Sequence, residues 1–334
     1  MAAHRTSQAG EHARLLADNA RYLIATAARA PSVHNSQPWR FQVDRDAIEL
    51  LCDPRRRTWA DGGGREMLIS CGAALFGLRL AVRSLGFQPA VELLPDPDRL
   101  RLLARVRLGR SVPANALETR MLAAVVHRHT HRGAFADEPL PRGLLPGLQN
   151  DVLVEGAELA LIPPGLAYQR LARLAATAAR RGDLDPRAKA AIRRWTRAAG
   201  QPERDGIPAT ALTAGPARQR RPGRLPQRDF DLGRNLGRLR ADGAPPAVTA
   251  VLLTRGDRRA DWLHAGQALH RMLLHAASEW VFASLYTQPL EDEITRLLIP
   301  GQLGIRGHPQ MIMQLGRARI TASTARRSAD ELLS

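Results

Sequence analysis

The sequence predicts an α+β fold of two similar half-units, each a small sheet flanked by helices, packed about central helices. Two observations carry this expectation. Along the first 110 or so residues the hydrophobic period switches in the order helix, hairpin, helix, strand. The same order then returns in the second half, with glycines and leucines at matching positions.

Ala13 to Arg29 places Leu15, Leu16, Ala20, Leu23, Ile24 and Ala27 at helical spacing, and Pro31 forces an extended turn after them. Phe41, Val43, Ile48 and Leu50 flank Asp44-Arg45-Asp46, which makes residues 40–52 a hairpin of two short strands. Glu66 to Leu85 is rich in Leu, Ala and Gly and has no polar face, so it belongs inside the protein as a central helix. Leu100 to Leu108 alternates apolar residues with arginines and stops at Gly109, the pattern of a half-buried strand. In the second half Ala265-Gly266-Gln267-Ala268-Leu269 parallels Cys71-Gly72-Ala73-Ala74-Leu75, and Ile312 to Gly316 parallels Ala104 to Gly109. The expected units are residues 12–120 and 121–334. Leu159 to Arg181 and Pro186 to Ala199 read as helices. No regular element fits Gly200 to Pro246, crowded with Pro, Gly and Arg. Such a stretch is a functional lid or a disordered linker, and Phe230, Leu232 and Gly206-Ile207-Pro208 give it groups with which to dock, favouring a lid at 200–246.

Composition bounds the function. With 334 residues and 44% hydrophobic positions the chain can bury a sizeable core, and no apolar run nears the roughly 20 residues of a membrane span. No secretion signal follows Met1, which makes the cytoplasm the expected location. Cys52 and Cys71 sit in apolar surroundings that suit reduced, buried thiols. The formal charge of +17 raises nucleic acid as a partner, yet the cations are scattered and Lys189 is the sole lysine, as compositional drift toward arginine produces. Only Arg218 to Arg240 is dense, and its Gly and Pro fit a loop rather than a recognition helix, so neither nucleic acid nor membrane is expected as a partner. His127, His129 and His131 alternate as metal ligands on a strand would, but Arg128 and Arg132 beside them oppose a divalent ion. Gly62-Gly63-Gly64 lacks the lysine and preceding strand of a phosphate loop and reads as a helix entry.

The chemistry concentrates in two strings. Ala30-Pro31-Ser32-Val33-His34-Asn35-Ser36-Gln37-Pro38-Trp39-Arg40 (30–40) packs hydroxyls and amides between two prolines. From chemistry alone it is either a capped turn or a preorganised loop whose Ser32, Asn35 and Gln37 hydrogen-bond the edge of a planar polar ring. His34 either contacts that ligand or is a solvated loop residue. Arg128-His129-Thr130-His131-Arg132 (128–132) sets two guanidinium groups and a hydroxyl close together in sequence.

The pattern Pro-Ser-x-x-Asn-x-Gln-Pro-Trp closely resembles the flavin-ring loop of the nitroreductase family, and Arg128 to Arg132 resembles its phosphate-gripping Arg-x-Ser/Thr-x-Arg, with Phe135 in the expected following place. Arg326-Arg327 is similar to the family's terminal basic pair over the same phosphate, the alternative being a solvated charge run. The resemblance implies FMN, with Pro31, Ser32, Val33, Asn35 and Gln37 at the ring and ribityl chain, and Arg128, His129, Thr130, Arg132, Arg326 and Arg327 at the phosphate. It places Thr287 and Gln288 at the N5 edge, where Pro289 has no N–H to offer. Nitroreductases are generally homodimers with the flavin between subunits. Here the ring loop lies in one half and the grip in the other, which resembles a fused dimer of the actinobacterial Acg type with one flavin per chain, complete as a monomer or within a higher oligomer. The implied activity is NAD(P)H-dependent reduction of a small-molecule electron acceptor such as a nitro compound or quinone, with no side chain standing out as acid or base. The alternatives are a flavin-sequestering protein with little turnover and a nucleic-acid binder using Arg218 to Arg240.

Overall fold

The computed structural model describes residues 2–198, 200–212, 224–237, 245–318 and 324–334. The first part opens with helix α1 (Ala2–Ala27), whose Leu16, Leu23, Ile24 and Ala27 are fully buried. Strands β1 (Trp39–Asp44) and β2 (Ala47–Cys52) form the expected hairpin, with Arg45 in the left-handed region at φ 49°. Helix α2 (Arg65–Ser84) follows, then β3 (Phe87–Leu93) and β4 (Leu102–Ser111), giving a sheet of order β1-β2-β4-β3. Helices α3 (Ala116–Ala124) and α4 (Leu144–Val154) lead to the second part.

There β5 (Glu158–Ile162) precedes helices α5 (Leu166–Leu184) and α6 (Pro186–Arg194). Two two-residue strands, β6 (Thr196–Arg197) and β7 (Ile207–Pro208), pair in parallel. Then come β8 (Val248–Thr254), helix α7 (Arg259–Ser278), β9 (Val281–Tyr286), helices α8 (Gln288–Glu291) and α9 (Glu293–Leu303), β10 (His308–Arg317) and helix α10 (Ala329–Leu332). The second sheet has order β5-β8-β10-β9. Each sheet is therefore two strands, a long helix and two more strands, with the last strand inserted beside the second. The topology is the same twice.

The two long helices α2 and α7 pack along each other between the sheets. By length and composition α2 is apolar enough to cross a membrane, contrary to the expectation that no run approaches that limit, but 83% of that stretch is buried inside the protein. Its apolar length reflects contact with protein on every side. The cores interlock across the helix pair: Leu263 of α7 packs in the cluster around α1, β1 and β2, and Ile69 of α2 in the cluster around α4 and β8. The C-terminus also crosses over. Leu332 lies in the first core, and the Ser334 amide donates to the Phe41 carbonyl at 3.0 Å.

The sequence reading of 159–181 as one helix needs correction. Leu159 to Ile162 belong to β5, paired along β8, and the helix begins only at Leu166, after Pro163-Pro164-Gly165. Short apolar runs do not distinguish strand from helix by period, and here the adjacent strand decides. Strands β3, β8 and β9 were also not foreseen.

Candidate active-site cleft

A cleft opens beside the second sheet, walled by the loop after α1, the first turns of α2, residues 130–132, residues 226–230, strand β9 and the turn after it, and Gln310 and Met311 of β10. The loop after α1 is held by its own polar groups. The Gln37 amide donates to Ser32 Oγ at 3.0 Å, and the Ser36 amide to the Val33 carbonyl at 2.9 Å. His34, Asn35 and Gln37 all adopt left-handed φ, between 50° and 54°. Three such non-glycine residues in four cost free energy that the surroundings must offset, a concentration of strain typical of binding loops.

Residues 128–132 leave α3 and lie against β9. The His131 amide donates to the Ala283 carbonyl at 2.8 Å, and Ser284 Oγ donates to the His131 carbonyl at 2.9 Å. Arg128 is buried and donates from Nη2 to the Arg29 carbonyl at 3.2 Å, while Arg326 donates from Nη2 to the Ala30 carbonyl at 3.3 Å. Arg29, Arg128, Arg132 and Arg326 thus converge. Burial, then Arg29 and Arg132, pushes Arg128 down to about 10. Burial pushes Arg132 to about 10, and Arg326 falls well below the usual value through burial, then Arg128, Arg29 and Arg132. Nε and Nη1 of Arg128 and Nε of Arg326 are shut off from solvent without a partner among the described residues. Shielded cations with open donors and like-charged neighbours are unfavourable unless an anion joins them.

The structure separates the residues that the sequence grouped. Pro31, Ser32, Val33, Thr130, Arg132, Thr287 and Gln288 line the cleft. Asn35 and Gln37 do not. Asn35 Nδ2 donates to the carbonyls of Gly206 (2.9 Å) and Ala325 (3.0 Å). Gln37 Nε2 donates to the Arg204 carbonyl (2.8 Å), and its Oε1 accepts from the Arg327 amide (2.9 Å). These amides fasten two distant segments to the loop, a partnership that local sequence does not reveal. His129 is packed against Phe282 at 4.4 Å between ring centres, with Nδ1 3.0 Å from the His127 carbonyl, and burial lowers it to about 4. Arg327 lies apart from the arginine cluster, among Arg40, Arg56 and Glu331. Among the described residues no three of His, Cys, Asp and Glu are grouped as metal ligands.

Three groups at the cleft were not foreseen. Glu66, in the first turn of α2, is buried; its amide donates to Asp61 Oδ1 at 3.0 Å, and its Oε2 has no partner among the described residues. Arg228 pairs with Glu291 and donates to Thr287 Oγ1 at 3.3 Å. Gln310 sits where a register shift interrupts β10, and this bulge re-aims its side chain toward Arg65 Nη1 (3.1 Å) and Thr254 Oγ1 (2.8 Å). Over the cleft, Phe230 meets the His34 ring edge-on at 5.2 Å and lies under the Arg132 guanidinium at 5.7 Å. Phe230 also packs with Ile207, Ala211 and Leu212, a small core of its own. The described parts of the 200–246 stretch therefore dock on the loop and over the cleft; residues 213–223 and 238–244 lie outside the described residues, and with them Arg218, Arg220, Arg221, Arg238 and Arg240 of the dense basic run.

No protein-family model matches the chain. It is 31% identical over 317 residues to a Mycobacterium tuberculosis H37Rv protein with the provisional name NAD(P)H nitroreductase Rv3131, covering 92% of this chain and 87% of that one. The chain belongs to the nitroreductase family. Another nitroreductase relative of that organism, provisionally named Acg, is 28% identical over 314 residues, with 92% and 93% of the two chains covered. An uncharacterized protein, Rv3127, is 30% identical over 326 residues, with 93% and 91% covered. A solved nitroreductase with bound FMN from Bacteroides fragilis overlays 64% of this chain and 96% of its own at a TM-score of 0.38 and 12% identity, an overlap too loose to carry an argument.

Proposed function

We propose that this nitroreductase binds FMN in the cleft and passes electrons from NAD(P)H to a small organic acceptor, a nitro compound or a quinone. The observation that carries the reading is the arginine cluster, whose shielded donors have no partner among the described residues. Arg128, Arg132 and Arg326, with Arg29 beside them, would hold the FMN phosphate through charge-assisted bonds, and Thr130 would add a hydroxyl. Pro31, Ser32 and Val33 would border the ring on one side and Thr287 and Gln288 on the other, since all five face the same space. Asn35 and Gln37 act at one remove, clamping residues 204–206 and 325–327 so that Arg326 reaches the cluster.

When bound, the flavin would supply reversible two-electron chemistry, and the protein would orient it and exclude water. We place the boundary between the half-units near residue 120, so that each contributes one side of a single site per chain. The provisional names of the relatives supply the nicotinamide as reductant. A sequestering role is the second reading, favoured by one observation: Phe230 and Arg228 cover the cleft that a nicotinamide would have to enter.

The test is an anaerobic absorbance titration of FMN-loaded protein against NADPH and then NADH. Visible flavin bands that bleach at a useful rate support the oxidoreductase. Bands that bleach only with dithionite favour sequestration, and the absence of any flavin band overturns both.

A further inference from the structure

Two carboxylates stand in opposite circumstances at the cleft: Glu66 lines it, and Glu291 is paired to the lining residues Arg228 and Thr287. Glu291 accepts from Arg228 and from Thr287 Oγ1 at 2.8 Å. Glu66, 3% exposed, has only a long contact from Arg65 Nη2 to Oε1 at 3.5 Å, and Arg65 is engaged more closely by the Gln310 carbonyl and Oε1 at 3.1 Å. An ionised carboxylate with one oxygen unpartnered and dry is costly, whereas a protonated one is tolerated and carries a donor. Burial, then the charge of Glu291, drives the Glu66 carboxyl well above the usual range. At Glu291 burial acts in the same sense, but Arg228 more than offsets it and holds the group below its ordinary value. Carboxylates pushed apart by their surroundings divide into one that keeps a proton and one that stays charged.

Every neighbour of Glu66 fits this division. Asp61 and Glu291 disfavour its ionisation; Arg65 and Arg228 favour it but are tied to Gln310 and Glu291. His34, across the cleft, is held near 3 by burial, then Arg228, and is therefore neutral. Among the described residues neither of its ring nitrogens has a partner.

We propose that Glu66 is the acid of the cleft, delivering a proton from its carboxyl to the electron acceptor while the negative charge of Glu291, held ionised by Arg228, keeps that proton in place until it is needed. The proposal rests on the flavin reading above. For a quinone, Glu66 loses its proton as an O–H bond forms on one quinone oxygen. The rest of the hydroquinone, a hydride of two electrons and a proton, is what the reduced flavin anion would supply when bound. Water then reprotonates Glu66. A nitro compound reduced to its nitroso product takes the same hydride and proton, and both hydrogens leave as water with the oxygen of the cleaved N–O bond.

The experiment has two readouts. In the flavin-free protein near neutral pH, infrared spectra should contain a deuterium-sensitive carboxylic-acid carbonyl band that vanishes in Glu66→Gln and titrates away at lower pH in Glu291→Gln. In FMN-loaded protein reduced with dithionite, so that nicotinamide entry does not matter, reoxidation by a quinone should slow about 100-fold in Glu66→Gln. Glu66→Asp should recover part of the rate with a shifted pH profile. An unchanged band, or wild-type reoxidation in Glu66→Gln, overturns the proposal. Failure of NAD(P)H to bleach the flavin, with normal dithionite results, counts against the reductase reading alone.

Discussion

Gly72 of α2 and Gly266 of α7 meet where the two helices cross. A Cβ at Gly72 would stand 2.3 Å from the Leu263 carbonyl oxygen, and one at Gly266 would stand 2.0 Å from that of Ile69 and 2.8 Å from Gly72 Cα. These are the glycines that align when the two halves of the sequence are compared. In a two-fold arrangement equivalent residues meet at the axis, so their contact supports reading the halves as repeated units. Gly266→Ala should cost about 3 kcal/mol or more, because backbone rather than a movable side chain occupies the space. Gly301→Ala in α9, with open space around it, should instead gain about 0.5–1 kcal/mol. Urea unfolding of both variants checks the contrast.

Arg128→Ala should weaken FMN binding about ten- to a hundredfold, the loss of one or two hydrogen bonds to a charged group. Riboflavin, which lacks the phosphate, should bind as before. Flavin fluorescence titrations with both ligands read this, and equal losses for both would place the cluster away from the phosphate.

Acid should destabilise the fold through its buried neutral histidines. Burial, then Arg128, holds His270 near 3, with Nδ1 2.6 Å from the Ala73 carbonyl, and His34 is held near 3 as well. Unfolded, both protonate near 6.5. The unfolded chain therefore binds more protons between about 6.5 and 3. The stability contribution is fully present above that window and falls as pH drops through it, by up to about 1.4 kcal/mol per pH unit for each histidine. Urea midpoints at pH 7.5 and 4.5 should show this loss, and His270→Gln should shrink it.

Phe230→Ala should speed flavin release, because Phe230 joins the His34 loop, Arg132 and the small core of Ile207 and Leu212 in one contact. Stopped-flow fluorescence measures the rate. Faster reduction by NADPH in the same variant would identify this cover as the barrier to nicotinamide.

The free thiols Cys52 and Cys71 are buried, and burial raises both above the usual value, Cys71 strongly. Both should resist a thiol reagent in the native protein and react on unfolding, since the thiolate is the nucleophile.

Much of the architecture was legible because its signals are local. The hairpin declares itself through period two around Asp44-Arg45-Asp46, and α2 through an apolar run with no polar face. The strands that were missed, β3, β8 and β9, carry short apolar runs whose type only the neighbouring strand decides, and β5 was mistaken for helix for the same reason. The chemical strings at 30–40 and 128–132 were visible because their residues are contiguous.

By itself, then, the sequence determined the α+β class, the repeated order of elements and the two strings that resemble flavin-binding motifs, all features that depend on residues close together in the chain. Tertiary structure alone decided which of those residues face the cleft. It turned Asn35 and Gln37 toward residues 204–206 and 325–327, set Arg326 beside Arg128 and left Arg327 outside, and brought Glu66 and Arg228 into one cleft from segments far apart, with Glu291 paired to Arg228. The reason is physical: a carboxyl's proton and a guanidinium's open donors depend on burial and on which charges stand nearby, and both arise only when distant segments pack together.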